Sequence, residues 1–150
     1  MTLEVVPTWK VEAEKFKADL RAKIPPQWIL PKSTYPLPSN ASTLTSTCGI
    51  LSPEEYEITQ QSASTIHQWV ISKKYTAVEV TIAFAKAAAI VHQATNCLMD
   101  FSLEAALVRA KWLDEGLAKT GKPVGPLHGV PISVKGEHRS WLEGDASLIR

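Results

Sequence analysis

The segment from Gly125 to Lys135 contains the side chains of this chain that are best suited to chemistry. It reads Gly-Pro-Leu-His-Gly-Val-Pro-Ile-Ser-Val-Lys, and its two glycines and two prolines constrain the path of the backbone. In a short strand, Ser133 and Lys135 would face one side, with the lysine at the strand's end. A lysine there can act as a base if burial lowers its pKa from about 10.4 toward neutrality. Lys135 is therefore a candidate catalytic residue, although the pattern alone favours a solvated lysine at a strand end.

Two other side chains in this segment have alternative interpretations. His128 lies in a Gly/Pro-rich turn with no carboxylate or cysteine at a telling spacing, so we expect a structural hydrogen bond rather than a base. Ser133 and Lys135 could form a local serine–lysine dyad because they share a strand face. Nothing near them offers the backbone donors of an oxyanion hole, which disfavours that dyad.

The other histidines and the cysteines do not combine into a second site. His67 and His92 fall on predicted helices without the spacing of a metal site, and we interpret them as surface residues. Cys48 and Cys97 form no CxxC pair, and we interpret them as reduced thiols that pack as small apolar residues. The sequence therefore predicts neither a metal nor an organic cofactor.

Composition and charge exclude several classes of protein. Of 150 residues, 45% are apolar and 21% charged, which is typical of a globular domain. Sixteen basic and fifteen acidic residues are dispersed and give a net charge of +1, so nucleic-acid binding gains no support. Glu4 and Lys10 interrupt any apolar leader, and the apolar run from Ile82 to Val91 contains Lys86 and is about half of a membrane span. We expect a cytoplasmic chain without a membrane partner.

The first fifty residues are predicted to form one helix and an irregular arm. Between Trp9 and Ile24, apolar residues recur every three or four positions among many charges, as in an amphipathic surface helix. Pro25 and Pro26 end this helix. Further prolines among many Ser and Thr residues continue to Gly49, so we expect an extended arm along the surface.

Capping signals predict the helices that follow. Ser52 with Glu55, and Thr76 with Glu79, are capping boxes, in which the paired side chains satisfy the first backbone donors of a helix. A further helix is predicted between them, around residues 66–73. The helix that begins after Thr76 carries an apolar stripe and should be buried on that side. The stripe consists of Val80, Phe84, Ala87 and Val91.

Two strands are predicted in the second half of the chain. Asn96 to Phe101 reads as a short buried strand, after which Ser102 is expected to cap a helix that Gly121 stops. Val130 to Lys135 reads as the second strand. Helices that flank a first strand and lead to a second predict an α/β fold rather than a helical bundle.

The segment from Gly125 to Lys135 resembles the motif that carries the first catalytic residue of the amidase-signature family. The resemblance extends upstream to about Leu51, includes Asn96-Cys97-Leu98, and is strongest to the fungal general amidases called acetamidases. It implies a truncated, N-terminal portion of the amidase-signature fold, an α/β fold whose helices flank the first strands of a mixed sheet. The chain then divides into residues 1–50, an amidase-like region 51–135 and a divergent tail 136–150.

The resemblance also implies a reaction, the hydrolysis of a carboxamide to a carboxylic acid and ammonia without metal or cofactor. In the family a lysine, matched here by Lys135, acts with a serine held in a cis peptide and with a nucleophilic serine, both in a later Gly/Ser-rich segment. No such run follows Lys135 here, and the residues from Gly136 onward depart from the family's pattern. We therefore expect a small amide as the substrate of a full-length parent and no activity from this chain alone. The alternative is a non-catalytic, truncated chain that acts as a protein-interaction fragment.

Overall fold

The computed structural model describes residues 8–134 and is built from helices. The helices are α1 (Thr8–Ala22), α2 (Leu44–Thr47), α3 (Pro53–Thr59), α4 (Ala63–Ile71), α5 (Ala77–Thr95) and α6 (Leu103–Thr120), with 3-10 turns at Pro26–Trp28, Lys32–Thr34 and Ala41–Thr43. Each helix predicted from the sequence is confirmed. Lys135 and the tail 136–150 lie outside the described residues.

Helix α5 is the centre of this fold. It packs against α3 and α6, and within its length Glu79 and Thr95 are the exposed residues. Ala83 and Ala89 are fully buried, and their small side chains let neighbouring helices approach closely. The predicted stripe is confirmed in part, because Val80 is fully buried while its other members are half-buried. By length and composition α5 could cross a membrane, yet it packs here as a core helix.

Both predicted capping boxes are present. Ser52 N donates to Glu55 Oε2 at 2.8 Å, and Glu55 N donates to Ser52 Oγ at 3.1 Å. Thr76 and Glu79 repeat the pattern at 2.8 and 3.1 Å. Glu55 also accepts from Lys86 Nζ at 2.5 and 2.8 Å, and both side chains are largely buried. This ion pair explains how a lysine is accommodated in the apolar run of α5. The Glu55 carboxylate offsets the positive charge of Lys86, and the contact joins α5 to α3.

The start of α5 is also held by a contact that the sequence did not reveal. Asp114, on α6, accepts from the backbone N–H of Ala77 at 2.7 Å and from that of Val78 at 3.1 Å. These two donors have no acceptor within their own helix, and a carboxylate is favoured at a helix N-terminus. Asp114 therefore fixes the relative position of the two longest helices.

Replacing Asp114 with alanine is expected to lower the free energy of unfolding by about 2 kcal/mol, because two partly buried donors lose a charged acceptor. Urea denaturation of the 150-residue chain measures this loss. Glu115→Ala is the matched control, since Glu115 is exposed and lies 3.8 Å from Lys119, and it should cost less than about 0.5 kcal/mol. Equal losses in the two variants would show that the contact does not stabilise the fold.

The stretch from Pro25 to Gly49 follows the surface for most of its length, but it forms turns and a short helix rather than an extended arm. Its 3-10 turns and helix α2 bury Trp28, Leu30 and Leu44 against α5. Gln93 of α5 accepts from Leu30 N at 2.9 Å and donates to the Trp28 carbonyl at 2.9 Å. These contacts satisfy two backbone groups and attach the stretch to α5 at its few buried residues, while most of the stretch is exposed.

The predicted mixed sheet is not present in the part of the chain that the structure describes, where no residue from 8 to 134 belongs to a strand. A strand needs a neighbour for its backbone donors and acceptors. Between Asn96 and Phe101 these groups find side chains and a helix end instead: Asn96 N donates to the His92 carbonyl, and Leu98 N donates to His92 Nδ1 at 3.1 Å. The predicted strand at residues 96–101 is therefore an irregular connection.

Three smaller predictions in this region were wrong. Ser102 precedes α6, but its hydroxyl donates to Asp100 Oδ2 at 2.8 Å rather than capping the helix. His92 is buried rather than at the surface, because α5 is enclosed on several sides. Cys97 is exposed, whereas Cys48 is half-buried as a packing thiol should be; both are free.

The stop of helix α6 at Gly121 was predicted correctly, and it is confirmed by the left-handed φ of 66° at this residue.

Candidate active-site segment

The segment that leads to Lys135 begins as a turn on the helical core. His128 N donates to the Gly125 carbonyl at 3.1 Å, and Val130 N donates to the Leu127 carbonyl at 3.0 Å. Val130 packs against the core formed by α3 to α6. Residues 131–134 follow without helix or strand, and Ser133 is exposed. The predicted second strand is thus not formed as far as Val134, while Lys135 and with it the Ser133–Lys135 dyad lie outside the described residues.

His128 anchors this turn to the protein. Its side chain is 3% exposed, and its Nδ1 accepts from Val124 N at 3.1 Å. Its carbonyl oxygen lies 3.2 Å from Nδ1 of His67 on α4. The structural hydrogen bond predicted for His128 is therefore confirmed. The partnership with His67 could not be found from the sequence, because 61 residues separate the two and no pattern links them.

These contacts determine where the ring protons lie. A carbonyl can only accept, so His67 carries a proton on Nδ1; His128 Nδ1 accepts, so a neutral ring carries its proton on Nε2. Burial has the largest effect and lowers the pKa of His128, and the nearby His67 lowers it further; Asp114 opposes this lowering, and Arg109 adds the smallest lowering effect. His128 is therefore a neutral structural residue near pH 7 rather than an acid.

Gly129 brings the turn into direct contact with α4. Its φ is +78°, a region that residues with a side chain rarely adopt. A Cβ at this position would lie 2.8 and 2.9 Å from the two γ-methyl carbons of Val70, which is fully buried. Only glycine allows both the left-handed turn and this close approach, so the position holds the turn against α4.

The polar side chains around this turn are already engaged in structural contacts. Among residues 8–134, no group of three or more His, Cys, Asp or Glu side chains could hold a metal ion. Asp114 is occupied by the start of α5, and the ring nitrogens Nδ1 of His67 and His128 are committed to the turn. What the geometry provides is a buried attachment, at His128 and Gly129, for the segment that continues in sequence to Lys135.

Two variants of His128 separate the hydrogen bond from the packing of the ring. Asparagine keeps an acceptor near the position of Nδ1, whereas glutamine places its acceptor near Nε2. We expect His128→Gln to expose the Val124 amide to hydrogen exchange and to cost about 1–2 kcal/mol, while His128→Asn keeps that amide protected. Amide exchange measured by NMR distinguishes the two. Equal protection in both variants would contradict the assigned proton positions.

The buried histidines also predict a pH dependence. Burial lowers the pKa of His92 and His128 below the ordinary value of 6.5, so the unfolded chain takes up protons that the folded chain does not. The free energy of unfolding should be fully present above pH 6.5 and fall as the pH drops below it, by at most about 1.4 kcal/mol per pH unit for each histidine. Urea titrations between pH 5 and 8 test this, and the His128→Asn variant should show a shallower slope.

Comparison with known proteins shows what this chain is similar to. The family model described as Amidase matches residues 79–139, which include the whole of the segment from Gly125 to Lys135. The acetamidase of Emericella nidulans is 40% identical over 156 aligned positions, covering 94% of this chain and 28% of its own length. The acetamidase of Aspergillus oryzae is 39% identical over 132 positions, covering 88% of this chain and 24% of its own length.

A solved structure gives the same result for the fold. A fatty acid amide hydrolase superimposes with a TM-score of 0.72 and 34% identity, over 83% of this chain and 23% of its own length. The chain thus spans about a quarter of the length of the proteins that it matches. Motif, sequence similarity and fold agree over the same residues, and the chain belongs to the amidase family.

Proposed function

We propose that this chain forms the lysine-bearing quarter of an enzyme that hydrolyses a small carboxamide to a carboxylic acid and ammonia. The observation that carries the proposal is the segment from Gly125 to Lys135, which falls inside the Amidase match and leaves the core from a turn anchored by His128 and Gly129. A rigid departure point suits a catalytic group, because its position relative to the substrate must be held closely.

In the proposed reaction Lys135 is the base. Its neutral amine accepts, through a second serine, the hydroxyl proton of a nucleophilic serine as that serine attacks the amide carbon. The proton then passes to the departing nitrogen, which leaves as ammonia, and water hydrolyses the acyl-serine to release the acid. Backbone N–H groups stabilise the negative charge on the carbonyl oxygen. Neither a metal nor an organic cofactor takes part, and the reaction is proposed to occur in the cytoplasm.

Both serines and the oxyanion donors must come from residues other than these 150. The residues after Lys135 contain no run of neighbouring glycines and serines. Among residues 8–134, Ser133 is exposed to solvent rather than enclosed in a site that could hold a substrate. We therefore propose that the 150 residues alone do not hydrolyse amides.

A hybrid enzyme tests the proposed function. Residues 1–135 replace the part of the Emericella nidulans acetamidase that aligns with them, and everything after the lysine that aligns with Lys135 is kept from that acetamidase. We expect the hybrid to release ammonia from acetamide and the isolated 150-residue chain to release none. A folded hybrid without activity would contradict the proposal, and so would ammonia release by the isolated chain.

A second candidate is a non-catalytic role as a protein-interaction fragment. The observation that favours it is the exposure of large apolar side chains near the end of the described chain, including Leu127 and Val134, each 53% exposed. In that case the isolated chain would bind a partner, and the hybrid enzyme would be inactive.

A further inference from the structure

Helix α4 contacts one peptide unit of the turn at two points. His67 Nδ1 lies 3.2 Å from the His128 carbonyl oxygen, and Val70 packs on Gly129 so closely that a Cβ there would lie 2.8 Å from one of its γ-methyl carbons. His67 and Val70 are three residues apart on α4 and therefore share one face of that helix. The peptide that joins His128 to Gly129 is thus held by a polar contact and an apolar contact from the same helix.

The hydrogen bond from His67 does not depend on the charge of its ring. Nδ1 of His67 carries a proton both in this neutral ring and in the protonated ring, and the carbonyl oxygen can only accept. His128 Nδ1, in contrast, is an acceptor and loses its bond from Val124 N when the His128 ring is protonated. Of the two histidines, His67 is therefore the one that holds the turn on both sides of its own titration.

A short length of chain joins this peptide to Lys135. Gly129 is fixed by its contact with α4, Val130 packs against the core, and the ring of Pro131 fixes its own φ. Residues 132–134 are exposed and carry the chain onward to Lys135. From Pro131 the chain can reach at most about 14 Å to the lysine. A change in the orientation of the turn is therefore transmitted to the lysine over a short distance.

We propose that His67 is a positioning residue for Lys135, because its hydrogen bond to the His128 carbonyl fixes the turn from which the lysine segment continues. A catalytic base must be placed closely, since a displacement of about 1 Å can lower the rate about a hundredfold. His67 acts through the backbone of the turn and makes no contact with the substrate in this proposal. The inference rests on the proposed function, because it takes Lys135 to be the base of an amidase.

Two substitutions of His67 in the hybrid with the Emericella nidulans acetamidase test the inference. Leucine is similar in size but has no donor, whereas asparagine keeps an N–H near the position of Nδ1. We expect His67→Leu to lower kcat for acetamide at least about tenfold while KM stays within about twofold, because the chemical step is impaired and substrate binding is not. His67→Asn should keep kcat within about threefold of the unmodified hybrid, because the donor is retained.

The pH profile of kcat/KM separates positioning from a loss of folded enzyme. A smaller folded fraction lowers all rates by the same factor and leaves the acid limb of the profile in place. A lysine displaced toward solvent has a higher pKa, so His67→Leu should move that limb to higher pH by at least about half a unit. Gln93→Leu is the control for destabilisation, because it removes the two hydrogen bonds that join Trp28 and Leu30 to α5, and it should change neither kcat nor the acid limb.

The outcomes distinguish the role of His67 from the proposed function. An active hybrid in which His67→Leu leaves kcat and the acid limb unchanged would overturn the positioning role and leave the proposed function in place. Equal losses of kcat in His67→Leu and His67→Asn, or an equal loss in Gln93→Leu, would also overturn it, because packing or stability would then explain the effect. A folded, unmodified hybrid that releases no ammonia would contradict the proposed function and the positioning role together.

Discussion

Replacing Gly129 with alanine is expected to lower the free energy of unfolding by about 3 kcal/mol, since a left-handed alanine and an overpacked contact each cost about 1–2 kcal/mol. The backbone φ of +78° is unfavourable for any residue with a Cβ, and that Cβ would lie 2.8 Å from a γ-methyl carbon of Val70. Val70 cannot move freely because it is buried in the core of α3 to α6. Denaturant unfolding of the purified chain measures the loss.

Gly121 provides the matched control for this prediction. It also has a left-handed φ, of +66°, but no atom lies within 4 Å of the Cβ position. Gly121→Ala should therefore cost only the backbone term, about 1 kcal/mol. In a Val70→Ala background Gly129→Ala should cost less than in the unmodified chain, because the γ-methyl carbons that the new Cβ meets are absent. Similar losses for Gly129→Ala and Gly121→Ala would show that the close approach to α4 does not matter.

Five of the six α-helices of the described chain, and several of their ends, could be predicted because their signals are local. The capping boxes at Ser52 and Thr76 and the glycine stop at Gly121 each depend on residues within one turn. The contact of Asp114 with the start of α5 was missed because it joins residues 36 and 37 positions apart. Distant contacts of this kind leave no periodic pattern in one sequence.

The strands were mispredicted for a related reason. A short apolar run such as Asn96 to Phe101 is compatible with a strand, but a strand is stable only when a neighbour pairs with it. In residues 8–134 its backbone groups pair with His92 and Asp100 instead. The hydrophobic pattern correctly indicated that Phe101 is buried, and its side chain is 8% exposed. The pattern could not show whether a neighbouring strand is present to pair with this run.

The residues of the candidate site could be predicted from the sequence, but the contacts that hold them on helix α4 could not. The motif identified Lys135 and assigned His128 a structural role, and the second of these is confirmed by the bond from Val124. The packing of Gly129 on Val70 and the contact of His67 with the turn required the structure, because they arise from the position of α4. The role of Lys135 stays a prediction.

Lys135→Ala is expected to have the largest effect on activity. In the hybrid of this chain with the Emericella nidulans acetamidase, removal of the base should lower kcat/KM for acetamide by about a hundredfold to ten-thousandfold. Ser133→Ala is the control, because it removes the alternative nucleophile of a local dyad; as an exposed change it should alter kcat/KM by less than about twofold.

Ammonia release by these two variants beside the unmodified hybrid is the most direct measurement of the central claim, that this chain supplies the catalytic lysine of an amidase. We predict loss of activity in Lys135→Ala with unchanged unfolding free energy, and normal activity in Ser133→Ala. Full activity in Lys135→Ala, or loss of activity in Ser133→Ala alone, would contradict that claim.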